Sequence, residues 1–148
     1  MGTIIPNRED TMAEDSSSYL LIFRETALES YEAMSEEELR SALDRWNGWC
    51  DRLAAEGRLQ SGHPLEDVGR VVSSAGKAKP VDGPFAETKE LIGGYFLLTA
   101  ESLDEATAIA EQCPNLPYGM TVEVRPVAGA CHLARSLGWE TMREPAEA

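Results

Sequence analysis

The sequence predicts an α+β domain in which two helices share one side of an antiparallel sheet. Three observations predict it. Apolar or alternating strand-forming runs occur at 19–23, 94–99 and 121–125. Two amphipathic stretches with helix-capping signals begin at Ser35 and Ser102. Each of those stretches falls in a connection that leaves one strand and returns to another, the pattern that layers helices on a sheet. A length of 148 residues suits one such domain, since a single core rarely splits below about 250 residues.

The elements follow in order. Residues 1–18 are polar and end in Ser16, Ser17 and Ser18, which reads as a flexible lead-in. Tyr19 to Phe23 is wholly apolar, as expected of a central strand covered on at least one face. A loop is expected around Glu25–Met34. Ser35 and Glu38 then form a capping box, with Glu36, Glu37 and Glu38 at the positive end of the helix dipole. Leu39, Leu43, Trp46, Cys50 and Leu53, with Ala42 and Trp49 beside them, recur at three- and four-residue steps and predict one buried stripe, ended by Gly57.

Strands are expected at 58–64, 68–73 and 79–81, with a turn at 75–77. Gly93 and Gly94 free the backbone before the apolar strand 94–99. Ser102 and Glu105 repeat the capping box, and Leu103, Ala106, Ala110 and Cys113 make a second stripe that Pro114 ends. Thr121 to Arg125 alternates, with Val122 and Val124 on one face, and Pro126 closes it. The order β-α-β-β(β)-β-α-β is a split βαβ, ferredoxin-like plan. It leaves the second sheet face to be covered, most simply by another copy of the chain. The domain is expected to span 19–128. Beyond it, 129–148 forms an extension with a helix at 131–137 whose Leu133, Leu137 and Trp139 dock on the domain or its partner.

The charge narrows function. Asp plus Glu number 26 against 13 Lys plus Arg, a formal net charge of −13. That balance repels phosphate backbones and anionic bilayers, so neither nucleic acid nor membrane is expected as a partner. No apolar run reaches the ~18 residues that span a bilayer. Cys50, Cys113 and Cys131 are few, odd in number and far apart. They read as reduced thiols, and with no secretory leader the expected location is cytoplasmic. Two histidines and three scattered cysteines supply no zinc spacing, and no phosphate-loop, dinucleotide or nucleophile-elbow motif occurs. No metal or cofactor is therefore expected.

The most distinctive segment is Asp82-Gly-Pro-Phe-Ala-Glu-Thr-Lys-Glu90. Asp82 either acts as a general base or shapes the turn that Gly83 and Pro84 continue. Glu87 and Glu90 lie three apart and share a face if that stretch is helical. Turned inward, such a pair raises one carboxyl pKa and serves acid/base work; turned outward, it is a solvated cap with Lys89 pairing locally. His63, between Gly62 and Pro64 near a strand end, is either a proton shuttle or a loop histidine that is solvated or bonded to a backbone carbonyl. Arg125 either binds an anionic substrate or pairs with Glu123 or a helix acid. Trp46 and Trp49 read first as core aromatics.

This segment, with the Gly-Gly-Tyr strand that follows it, resembles the DGPF type of the YCII-related family. Ala54 to Leu59, Leu103 to Ala106, Cys113-Pro114 and Val122 to Pro126 resemble further segments of that family in the same order, together covering roughly 19–127. The resemblance implies a dimeric α/β barrel of ferredoxin-like protomers. It also implies a site in which some relatives hold a histidine on the first helix, twelve residues before the arginine that opens the second strand. Trp46 stands at that position here, which removes the general acid/base of a dehydrochlorinase-like relative. Genes of this type often neighbour extracytoplasmic-function sigma factors. The resulting expectation is a homodimer that binds a small molecule or acts as an accessory protein, with Lys89, Arg125 and Trp46 as binding residues. The alternatives are a small lyase- or hydrolase-like enzyme using Asp82, Glu87, Glu90 and His63, or an accessory partner of a sigma factor.

Overall fold

The computed structural model describes residues 17–26, 28–74, 81–83 and 91–146. The sheet has four antiparallel strands, β1 (Ser17–Glu25), β2 (Leu59–Pro64), β5 (Leu91–Ala100) and β6 (Thr121–Pro126), in the order β2-β5-β1-β6. The apolar β1 therefore lies at the centre, bonded to β5 on one side and β6 on the other. A second, two-stranded ladder, β3 (Gly69–Val71) with β4 (Val81–Gly83), is inserted between β2 and β5. The helices are α1 (Glu29–Glu32), α2 (Glu36–Ala55), α3 (Leu103–Ala110) and α4 (His132–Ser136). This is the α+β, ferredoxin-like arrangement that the element order predicts, with α2 and α3 as its two crossovers.

Period-two alternation explains the core. Tyr19, Leu21 and Phe23 on β1, and Phe96, Leu98 and Ala100 on β5, are buried. They pack against Trp49 and Leu53 of α2 and against Ala106, Ile109 and Ala110 of α3, in two adjoining clusters. Leu20, Ile22 and Leu97 alternate with them and stand on the opposite face, half-buried. The capping box at Ser35 forms in full: its side chain accepts from the Glu38 N–H while Glu38 accepts from the Ser35 N–H. Gly57 terminates α2 with φ of 76°, a conformation that costs a side-chain-bearing residue.

Several expectations are corrected. The loop at 25–34 contains the single helical turn α1. The α2 stripe is not uniformly buried. Ala42, Trp49 and Leu53 are, but Trp46 and Cys50 are half-buried, Leu39 is exposed, and Leu43 keeps 58% of its surface open. The buried line of α2 is rotated away from the spacing of its leucines because its first half stands off the sheet. At α3, Leu103 is exposed and Ile109 takes the buried place. Ser102 accepts from the Glu105 N–H, but the second half of the box does not close on it. Glu105 accepts instead from the Glu101 N–H and from both terminal nitrogens of Arg58, at 2.9 and 3.1 Å. This two-pronged pair ties the start of β2 to α3 and holds the Glu105 carboxyl below its usual range, chiefly through Arg58. In the extension, Leu133 (81% exposed) and Leu137 face solvent, while Ala130 and Ala134 are buried and Trp139 is half-buried. The leucines therefore do not pack on the domain of their own chain.

Two outcomes follow from this packing. Trp49→Ala should cost about 3–5 kcal/mol in urea unfolding, because a wholly buried indole leaves a void that the sheet cannot close. Glu105→Gln should lower stability by about 1 kcal/mol at pH 7. A carboxyl group whose folded pKa is lowered stabilises above its unfolded pKa and loses that contribution as pH falls through the folded one. The difference between Glu105→Gln and the parent should therefore shrink below about pH 4 in thermal scans.

Candidate functional site

Where the first half of α2 stands off the sheet, a cavity of about 780 Å³ opens between that helix and the β2–β5 edge. Its apolar wall is built from the core itself. Phe23, Trp46 and Phe96 line it, and Phe23 meets Trp46 and Phe96 edge-on at 5.1 and 4.8 Å between ring centres. Leu39 and Leu43, exposed on α2, form the rim, and Met120 closes the far side. The core period of β1 brings Glu25 to the same face as Phe23, two residues along. There the strand ends and α1 begins, so Glu25 meets Tyr31.

That meeting forms the polar end of the cavity. The Tyr31 hydroxyl donates to Glu25 Oε1 at 2.9 Å and accepts from Asn115 Nδ2 at 3.4 Å. Burial, and next the bond to Glu25, push the Tyr31 phenol far above its ordinary range, so it stays neutral. The other carboxylate oxygen, Oε2, occupies space over the bare backbone of Gly93: a Cβ at that residue would lie 2.1 Å from it. Gly93 is the extra residue of a β-bulge, since Phe23 pairs with Gly94 while Arg24 pairs with Ile92. Gly94 allows a second close approach, because a Cβ there would lie 2.8 Å from the His63 carbonyl oxygen. The two glycines thus sit within β5 rather than before it, where they give the carboxylate and strand β2 room.

The predicted site residues are dispersed. Trp46 is both core and cavity wall. His63 reaches the cavity only at its β2 rim. It pairs in register with Tyr95, next to Phe96, so both side chains point to the open sheet face. There His63 Nδ1 and the Tyr95 hydroxyl are 2.9 Å apart. The histidine is therefore bonded to a tyrosine, not to a backbone carbonyl. Asp82 lies in β4, in register with Arg70. Glu87, Lys89 and Glu90 lie outside the described residues. Arg125 is exposed on β6, with Nε 3.8 Å from Glu123 Oε2, while Arg24 holds Glu123 closely at 2.7 Å. Arg24, chiefly, draws the Glu123 pKa down.

Glu25, Tyr31 and Asn115 carry no motif. Only the return of the chain past Pro114 brings Asn115 to Tyr31, 84 residues away. Cys50 borders the cavity, its thiol pKa raised by burial, and Cys113 is buried and pushed up to about 11 by the same cause. Neither is a ready nucleophile. Among the described residues, no three His, Cys, Asp or Glu side chains converge as a metal site would require, and no helix is long and apolar enough to cross a membrane.

A model of the YCII-related domain matches residues 20–128, which takes in all of the sheet but the first three residues of β1, and both crossover helices. The chain belongs to the YCII-related family. An uncharacterised protein of Rhizobium meliloti (strain 1021) is 48% identical over 89 residues, covering 60% of this chain and 69% of that one. Within the YCII-related domain, the cavity draws its walls from α2, β1, β2 and β5 and its polar end from the segments that follow β1 and α3.

The contact between Glu25 and Gly93 yields a direct outcome. Gly93→Ala forces the carboxylate off Gly93 and breaks its bond to Tyr31, at about 1 kcal/mol in chemical denaturation. Tyr31→Phe removes the same bond. The double variant should therefore lose measurably less stability than the two single losses added together.

Proposed function

We propose that this YCII-related chain is a small-molecule-binding homodimer that takes its ligand in the cavity beside α2. The cavity carries the reading. Its volume of about 780 Å³ lies within the ~300–1,000 Å³ range of ligand sites, and its walls are aromatic and aliphatic with a few polar groups at one end. Leucines left exposed at a rim, over rings already partly buried, form the apolar surface that a ligand would cover. Trp46 standing where some relatives carry a histidine fits binding rather than proton transfer at that wall.

The dimer rests on the open face of the sheet. Leu20, Ile22 and Leu97 are half-buried there, beside the His63–Tyr95 pair and the Arg24–Glu123 pair. An apolar sheet face of this kind needs cover, and a second copy supplies it through a self-complementary contact. The family resemblance to dimeric α/β barrels supports the same assembly, with His63 and Tyr95 between the two sheets.

Two measurements test this. Light scattering at micromolar concentration should give twice the chain mass of 16.2 kDa, and a mass of one chain would sink the dimer. Titration with small aromatic compounds should change the tryptophan fluorescence. Leu43→Glu at the exposed rim should weaken that response at least ten-fold without lowering the melting temperature. An unchanged response would place binding elsewhere.

A further inference from the structure

Resting on that reading, we infer that the cavity selects ligands that join an apolar, preferably aromatic, body to a primary ammonium group, with the ammonium seated against Glu25. The argument is a count of donors and acceptors at the polar end. Tyr31 has one hydroxyl hydrogen, and Glu25 Oε1 takes it. Tyr31 also accepts one Asn115 N–H, which fixes the direction of that amide. Two acceptors and the second Asn115 N–H remain. Glu25 Oε2 lies over Gly93 with no hydrogen-bond partner among the described residues, and Asn115 Oδ1 is buried with none either. An end that has spent its hydroxyl donor and keeps a carboxylate oxygen with no partner among the described residues calls for a cationic, donor-rich head. An ammonium group supplies three N–H donors and the complementary charge.

The walls point the same way. Phe23, Trp46 and Phe96 line the cavity, and aromatic faces attract cations through their quadrupole. No Lys or Arg is among the described lining residues, so none of them offers a permanent cation to a carboxylate or phosphate. The volume exceeds what a bare cation needs and leaves space for a ring between Trp46 and the leucines of the rim.

Calorimetric titration of the full chain with 2-phenylethylammonium, 2-phenylethanol and 3-phenylpropionate tests this, because the three share a ring and differ in the charge of the head. The expected result is that the ammonium binds at least ten-fold tighter than the alcohol and that the carboxylate binds weakest. Glu25→Gln should cut the ammonium's advantage over the alcohol to below two-fold. The comparison on the unaltered chain stands even if that variant folds poorly. Equal or tighter binding of the alcohol or carboxylate would overturn the ammonium preference and leave the cavity as a binding site. An ammonium preference that survives in Glu25→Gln would overturn the seat. Failure of all three to bind at millimolar concentration would overturn the ammonium preference, and the binding function with it.

Discussion

Phe23 is the side chain on which the rest of this structure depends. It belongs to the central strand and stands edge-on to Trp46, Trp49 and Phe96, with ring centres 4.8–6.1 Å apart. Edge-to-face rings of this kind add about 0.5–1.5 kcal/mol per pair beyond the surface they bury. The cluster joins β1, β5 and α2 at one point, and so it sets the distance between helix and sheet. Trp49 fills the space completely on one side of that point. On the other side Trp46 is only half-buried, and the helix continues toward its start with leucines that touch no sheet. The cavity is the space that this geometry leaves.

The second constraint is backbone, and it lies in β5. Gly93 and Gly94 give that strand a bulge and two places where other atoms come closer than a side chain would permit. One place receives the β2 carbonyl, which keeps the edge strand against the sheet. The other receives Glu25, which can then reach Tyr31. A charged group at the end of a core strand is costly to hold near apolar walls unless it is hydrogen-bonded. Here the Tyr31 hydroxyl meets that need on one oxygen only, and the other oxygen has no hydrogen-bond partner among the described residues.

Much of the fold was legible because it rests on local rules. The apolar run at 19–23, alternation in 121–125, capping at Ser35 and stopping at Gly57 depend on residues a few positions apart, and each element stands where those rules put it. The departures have a common cause. Leu39, Leu43 and Leu103 have the spacing of core residues, yet are exposed because burial of a helix face depends on what lies opposite. At Ser102 the capping box half-opened because Arg58, 47 positions away, competes for Glu105. The candidate site was less legible. Trp46 and His63 are marked by composition and neighbours. Glu25, Tyr31 and Asn115 look like ordinary strand-end, loop and turn residues, and their hydrogen bonds join positions separated by 6 and 84 residues.

The sequence alone determined the α+β class, the order of strands and helices, the family and an acidic surface of net charge −13. These follow from periodicity, caps, charge and a literal motif, all readable along the chain. Only the tertiary structure decided that α2 stands off the sheet, that Gly93 makes room for a carboxylate, and that Glu25, Tyr31 and Asn115 converge. The physical reason is that a cavity is defined by the atoms on all of its sides. Those atoms come from β1, α1, α2, β5 and the turn after α3, and no local rule couples them until the Phe23 cluster brings helix and sheet together.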